Sequence, residues 1–134
     1  MDRKVLGTFE TVNFPEFGLQ DVNAKIDTGA FTGALHATKI HEAREKGQRV
    51  LCFSPFDHPE AVYITANFEN GIVKSSNGIE TERYFIETSI VVRKRRYTIT
   101  LSLLDRSAMK WPVLIGRRFL SANEFVVDVR KKRK

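Results

Sequence analysis

Cysteine is almost absent from this 134-residue chain: Cys52 stands alone, so no internal disulfide can form. No metal-binding spacing surrounds it, and the lone thiol between Leu51 and Phe53 reads as a small buried apolar residue in a reducing compartment. No apolar run approaches the length of a membrane span. Met1-Asp2-Arg3-Lys4 leads into a mixed stretch and not into an apolar leader, so a cytoplasmic location is expected. Histidine is scarce too, with only His36, His41 and His58. His41-Glu42 starts a His-Glu-x-x-His pattern, but Glu45 stands where the second imidazole is needed, so no metal is expected. Gly-x-x-x-x-Gly-Lys-Ser/Thr is missing, which leaves no phosphate cradle and assigns any ATP dependence to a partner. Gly-x-Ser-x-Gly is missing as well, which excludes a serine nucleophile elbow. No cofactor is expected.

What is present is the balance of a soluble globular protein, 42% hydrophobic and 28% charged with ten Phe. The length suits one domain over residues 1–134, with a core that needs no staples. The formal net charge is +6, and much of the excess lies in Arg93–Arg96 and Arg130–Lys134. These runs read as a charged hairpin turn and a solvated tail dispensable for folding. Nucleic acid is not expected as a partner, because no exposed aromatics interleave with the basic residues along the chain.

Short strands separated by turns dominate. Tyr97-Thr98-Ile99-Thr100-Leu101-Ser102-Leu103 alternates without a break, as a strand with one buried face requires. Arg83–Val92 precedes it, with Arg93–Arg96 as the turn between them. Further strands are expected over Val5–Val12, Asp21–Ile26, Gly33–Ile40, Val50–Phe53, Ala61–Phe68, Pro112–Ile115 and Phe125–Val129. His41–Lys46 suits either a helical turn or an open hairpin loop. Arg117–Ala122 lacks alternation and reads as one short helix. Asn77-Gly78 is a tight-turn signal, and with Glu69-Asn70-Gly71 upstream it marks a mobile surface hairpin. The class is all-β, without internal repeats.

Two segments carry chemistry. Ala24-Lys25-Ile26-Asp27-Thr28-Gly29-Ala30 puts an acid at the end of an apolar strand, followed by a hydroxyl and a glycine. Alone, Asp27 is equally a turn cap accepting backbone N–H groups. Far downstream, Pro112-Val113-Leu114-Ile115-Gly116-Arg117-Arg118-Phe119-Leu120 is an apolar run ending in glycine, then a short helix, and alone it is a buried strand.

Together the two segments resemble the retropepsins, in which an Asp-Thr-Gly-Ala loop is backed by two apolar residues plus glycine, often followed by arginine. Ala34-Leu35-His36-Ala37, Ser76 with Gly78, Glu82-Arg83 and Asp105-Arg106-Ser107-Ala108-Met109 sharpen the likeness. With them the chain is similar to a bacterial family named for ATP-dependent zinc proteases and linked to an ATP-grasp ligase that adds glutamate to a ribosomal protein. The resemblance implies a closed acid-protease barrel with one short helix near the C-terminus. It also implies a homodimer that cleaves a peptide or protein substrate with paired Asp27 carboxylates. Thr28 would brace the dimer and Gly29 would donate its N–H to the carboxylate. Ala30 and the flap residues Ser76, Asn77 and Gly78 would bind substrate, while Ile115, Gly116 and Arg117 support the loop from behind. One departure stands out: Phe31 occupies a position that is usually acidic in retroviral proteases, where the acid pairs with the arginine of the second motif. Arg117 is therefore expected to find another partner, Asp105 or Glu82. Two other functions remain open: a non-catalytic partner of the ligase, and a basic nucleic-acid or ribosome-associated module.

Overall fold

The computed structural model describes residues 4–56, 60–74, 77–105 and 111–132. In chain order the elements are β1 (Val5–Leu6), β2 (Phe9–Phe14), a 3-10 turn (Pro15–Phe17), β3 (Leu19–Ile26), β4 (Gly33–Glu45), β5 (Gln48–Pro55) and β6 (Tyr63–Thr65). They continue as β7 (Phe68–Lys74), β8 (Glu80–Val92), β9 (Arg95–Leu104), β10 (Val113–Ile115), α1 (Arg117–Ala122) and β11 (Val126–Val127). The all-β class and the short C-terminal helix expected from the sequence are both seen. No helix among the described residues is long and apolar enough to cross a membrane.

The pairing path runs β10-β3-β2-β8-β9-β4 and returns to β10, because β10 pairs in parallel with β3 and antiparallel with β4. Alternation explains which side faces in. Along β2, Glu10, Val12 and Phe14 are buried while Phe9, Thr11 and Asn13 are only partly covered, the period of 2 that a one-sided strand requires. Val12, Phe14, Ala24, Leu35, Ile90, Leu101 and Ile115 meet inside the ring. Cys52 is buried on β5. The two long strands leave the ring at one end: β4 continues into a hairpin with β5, and β8 continues into a hairpin with β7.

Several local expectations change. His41–Glu45 is neither a helical turn nor an open loop but the continuation of β4, with Ala43 opposite Val50 and Glu45 opposite Gln48. The reversal takes only Lys46 and Gly47, at φ 53° and 80°, the left-handed pair that a tight hairpin demands. The basic turn likewise shrinks to Arg93 and Lys94, at φ 51° and 70°, and Arg95 and Arg96 already belong to β9. The turn signal at Glu69-Asn70-Gly71 is overruled by pairing, since these residues lie inside β7 opposite Phe85, Tyr84 and Arg83. Gly71 is covered by the Phe85 ring: a Cβ there would lie 2.5 Å from it. Val5–Val12 splits at Gly7-Thr8, and Ala61–Phe68 splits between β6 and β7.

The largest correction concerns the tail. Arg130–Lys132 does not hang in solvent as expected. The Lys131 carbonyl accepts the Thr8 N–H at 2.7 Å, Thr8 Oγ1 donates to the Val129 carbonyl at 2.9 Å, and Lys132 bridges Phe9 in parallel. The side chains remain too polar to bury, but the main chain still needs partners, and β1–β2 supplies them. Removing Arg130–Lys134 is therefore expected to lower unfolding stability by about 1–2 kcal/mol, the cost of orphaning such a bond. A denaturant midpoint indistinguishable from that of the full chain would refute this.

Asp128 anchors the same turn. Its carboxylate accepts both Nε and Nη2 of Arg130 at 3.1 Å and the Arg130 N–H at 3.0 Å. The Arg130 side chain first, and its backbone N–H second, pull the Asp128 pKa down to about 2. A folded-state pKa below the unfolded value of about 4 means the stabilisation is complete above that value. It is lost as the pH falls toward about 2. Stability measured across this window is expected to fall more steeply for the wild type than for Asp128→Asn, and parallel curves would contradict the assignment.

Candidate active site

β3 delivers Asp27 to the end of the ring. Ile26 donates its N–H to the Thr8 carbonyl and Asp27 donates its own to the Ile115 carbonyl, each at 2.8 Å, so the strand end is held from both sides. The chain then turns tightly. Gly29 N–H donates to Asp27 Oδ1 at 3.0 Å, and Ala30 N–H donates to the Asp27 carbonyl at 3.2 Å. The Asp27 side chain is partly covered, while Thr28 and Gly29 are exposed. A carboxylate fixed by a backbone donor yet open to solvent can accept a proton or bind water without large rearrangement.

β10 forms the back of the loop. Ile115 pairs with Ile26, and Val113 lies between Ala24 and Leu35. Gly116 then passes so close that a Cβ would lie 2.6 Å from the Phe31 carbonyl oxygen, 2.8 Å from that of Ala30 and 2.9 Å from the Gly33 nitrogen. All three are main-chain atoms, which explains why this position carries no side chain. Immediately afterwards, Arg117 and Arg118 donate their N–H groups to the Ala30 and Phe31 carbonyls at 2.8 Å and 3.0 Å.

Among the described residues Arg117 takes no acidic partner. Its Nη1 donates to the Gly29 carbonyl at 3.1 Å and more weakly to that of Thr28 at 3.4 Å, and its guanidinium lies 5.5 Å from the centre of the Phe31 ring. The expectation of Asp105 or Glu82 is therefore corrected. Loop carbonyls and an aromatic face replace a carboxylate, a substitution suited to a planar, delocalised cation.

Asp27, Thr28, Gly29, Ala30, Ile115, Gly116 and Arg117 thus make one hydrogen-bonded unit. Asn77 and Gly78 stand apart from it at the exposed tip of the β7–β8 hairpin, with Gly78 at φ 86°, while Ser76 lies outside the described residues. A groove of about 320 Å³ runs along β7 from Asn67 to Ile72 and is closed on its other side by Thr32 and Arg118. Thr32 and Arg118 follow the Asp27 loop and its clasp directly in the chain, but the loop itself does not line this groove. At the hairpin's base, Glu42 of β4 accepts the Tyr84 hydroxyl and the Arg49 Nε, both at 2.8 Å. The Tyr84 hydroxyl, and then Arg49, hold the Glu42 carboxyl below the usual range, while Glu42 raises the Tyr84 phenol.

Sequence reasoning missed Thr8 and Gly33. Thr8 matters only through a carbonyl, which leaves no trace in residue type. Gly33 left a faint signal as a glycine opening a strand: its Cβ would strike the Leu114 carbonyl.

An all-β chain whose Asp-Thr-Gly loop is clasped by an apolar-Gly-Arg strand end has the features of a retropepsin-like protein. Residues 5–134 match the family model described as "Retropepsin-like aspartic endopeptidase RimB", and the chain belongs to this RimB-like family. Among curated proteins it is similar to a probable alpha-L-glutamate ligase of Shewanella pealeana, 30% identical over 129 residues that are 92% of this chain and 28% of the ligase. The corresponding protein of Parasynechococcus marenigrum is 32% identical over 123 residues, 87% of this chain and 26% of that protein. The chain thus spans about a quarter of the length of these relatives. Among solved structures, a Legionella pneumophila protein of unknown function superposes with a TM-score of 0.71 at 26% identity, covering 97% of this chain and 96% of the other.

Proposed function

We propose that the chain is an aspartic endopeptidase that works as a homodimer, its ring of strands being half of an acid-protease barrel pair. The observation that carries this reading is the Asp27 carboxylate: fixed by the Gly29 N–H, backed by Ile115–Gly116, and still partly open to solvent. One such carboxylate leaves either the acid or the base role vacant, and a second copy fills it. Two carboxylates a few ångströms apart cannot both ionise cheaply, so the pair holds one proton and titrates as a unit. The ionised member takes a proton from the bridging water, whose oxygen attacks the scissile carbonyl carbon. The protonated member gives its proton to the carbonyl oxygen, and collapse of the tetrahedral intermediate releases the protonated amine.

Thr28 would brace the loops across the two-fold axis. Substrate would bind extended under the hairpin tip at Ser76, Asn77 and Gly78 and along Ala30. Exposed apolar side chains on the Asp27 loop and the β7–β8 hairpin support a covering partner: Phe31 is 57% exposed, Ile72 64% and Ile79 60%. Sedimentation equilibrium with cleavage assayed on the same samples tests the dimer. Activity should track the dimer fraction, and full activity in a strictly monomeric sample would overturn the paired mechanism.

A second reading is favoured by the relatives. A segment similar to this chain lies within longer proteins named probable alpha-L-glutamate ligase, so the domain would act beside an ATP-grasp ligase as a regulatory partner. In that case ligase turnover should respond to this chain equally with Asp27 and with Asn at that position.

A further inference from the structure

We propose that the outer face of β2, together with the β8–β9 turn and residues 130–132, is a docking surface for single-stranded nucleic acid. The two basic runs are more than thirty residues apart in the chain, yet Arg93 and Lys132 both come beside the same strand. On one edge of β2, Val12 and Asn13 pair with Val92 and Val91, and β8 then turns away at Arg93–Lys94. The edge that this turn vacates is taken by the tail, where Lys132 bridges Phe9. From Phe9 to Asn13 is roughly 13 Å at the rise of an extended chain, so the turn and the tail flank one short stretch of surface.

Register defines what this face presents. Lys132 and Lys25 both pair with Phe9, and Arg96 and Asn13 both pair with Val91. Paired residues project to the same side of a sheet, so Lys132, Lys25 and Arg96 share the outer face with Phe9. Arg93 and Lys94 border a groove of about 290 Å³ over Thr11, Asn13 and Val91. Two acids also line this groove, Asp21 on the exposed rim and Glu10 buried and accepting the Gly7 N–H, while Arg130 is engaged by Asp128. Phe9 stacks on Trp111 with ring centroids 4.3 Å apart, and both rings are only partly buried.

The absence of interleaved aromatics along the chain argued against nucleic acid. The fold supplies them from elsewhere, setting a stacked pair from β2 and the segment before β10 in the row of cations. Cations alone would serve any polyanion, whereas a ring face among them suits an unpaired base above a phosphate contact. An oligoglutamate chain, whose side chains are all carboxylates, has no group that would stack on it.

The test measures binding of the full chain to a fluorescein-labelled oligouridylate of about twelve nucleotides, alongside inorganic polyphosphate and an oligoglutamate peptide as competitors. Affinity for the RNA should fall with salt at a log–log slope of about −0.7 per phosphate engaged. Lys94→Glu with Arg96→Glu, and separately Lys132→Glu, should each weaken it at least about tenfold. These side chains are exposed, so the variants should keep the wild-type circular dichroism. Trp111→Ala should weaken RNA at least about fivefold while leaving polyphosphate binding within a factor of about two. Asp27→Asn should bind RNA as the wild type does, which separates this surface from the peptidase site. No saturable binding in low salt, or RNA affinity unmoved by the charge reversals, would overturn the proposal. Displacement of RNA by oligoglutamate at equal concentration would make the partner an acidic peptide and overturn it as well.

Discussion

Asp27→Asn is expected to abolish peptide cleavage while the protein stays folded. Asparagine keeps an oxygen where Oδ1 accepts the Gly29 N–H at 3.0 Å, so the turn survives. It cannot take a proton from water or give one to a carbonyl, and in a homodimer the change removes both members of the pair. General acid and base catalysis each contribute about 10²–10⁴-fold, so cleavage should drop by at least the upper end of that range, beyond routine detection. The melting midpoint should hold or rise, because two crowded carboxyl groups no longer compete for one proton. A purely structural Asp27 predicts the reverse pattern: a loss of about 1 kcal/mol from a weakened charge-assisted bond, with no catalytic consequence. Cleavage rate and midpoint measured on the same two preparations separate the cases. Equal rates for the two proteins would end the acid-protease reading of this chain.

Gly116→Ala should be severely damaging, because the added methyl would crowd three main-chain atoms behind the Asp27 loop. The glycine is in extended backbone, so the objection to a side chain is steric and not conformational. The added carbon would lie at 2.6–2.9 Å from two carbonyl oxygens and a nitrogen, all main chain. No rotamer change relieves main-chain contacts. Either β10 withdraws from the Asp27 loop, breaking the Asp27 N–H bond to Ile115 and the Arg117 N–H bond to Ala30, or the loop moves with it. Two lost main-chain bonds and the accompanying strain together cost about 3–4 kcal/mol. Any protein that still folds should have lost cleavage through a misplaced Asp27. A midpoint within a degree of wild type would show that the clasp is looser than its geometry.

Much of the fold was legible because the strands advertise themselves locally. Tyr97–Leu103 alternates cleanly, and β9 covers it. Arg117–Ala122 breaks the alternation, and α1 has those bounds. Errors arose where pairing overrode local preference. Glu69-Asn70-Gly71 spells a turn but lies flat in β7 because β8 offers a full row of partners, and His41–Glu45 stays extended because β5 does. The candidate site was legible as two short segments, each ambiguous alone. Their meeting depends on β10 inserting between β3 and β4, a long-range pairing that no local window contains.

The sequence by itself determined the all-β class, the Asp27 loop and the glycine that must stand behind it, because residue type and short-range periodicity govern strand faces and steric tolerance. The tertiary structure alone decided that Arg117 serves the Gly29 carbonyl and the Phe31 ring, that the basic tail is tied to Thr8, and that the two basic runs converge on β2. Each of these is a contact between main-chain or side-chain groups far apart in the chain. Such contacts depend on which strand edges are left open once the ring has closed, and composition does not record that.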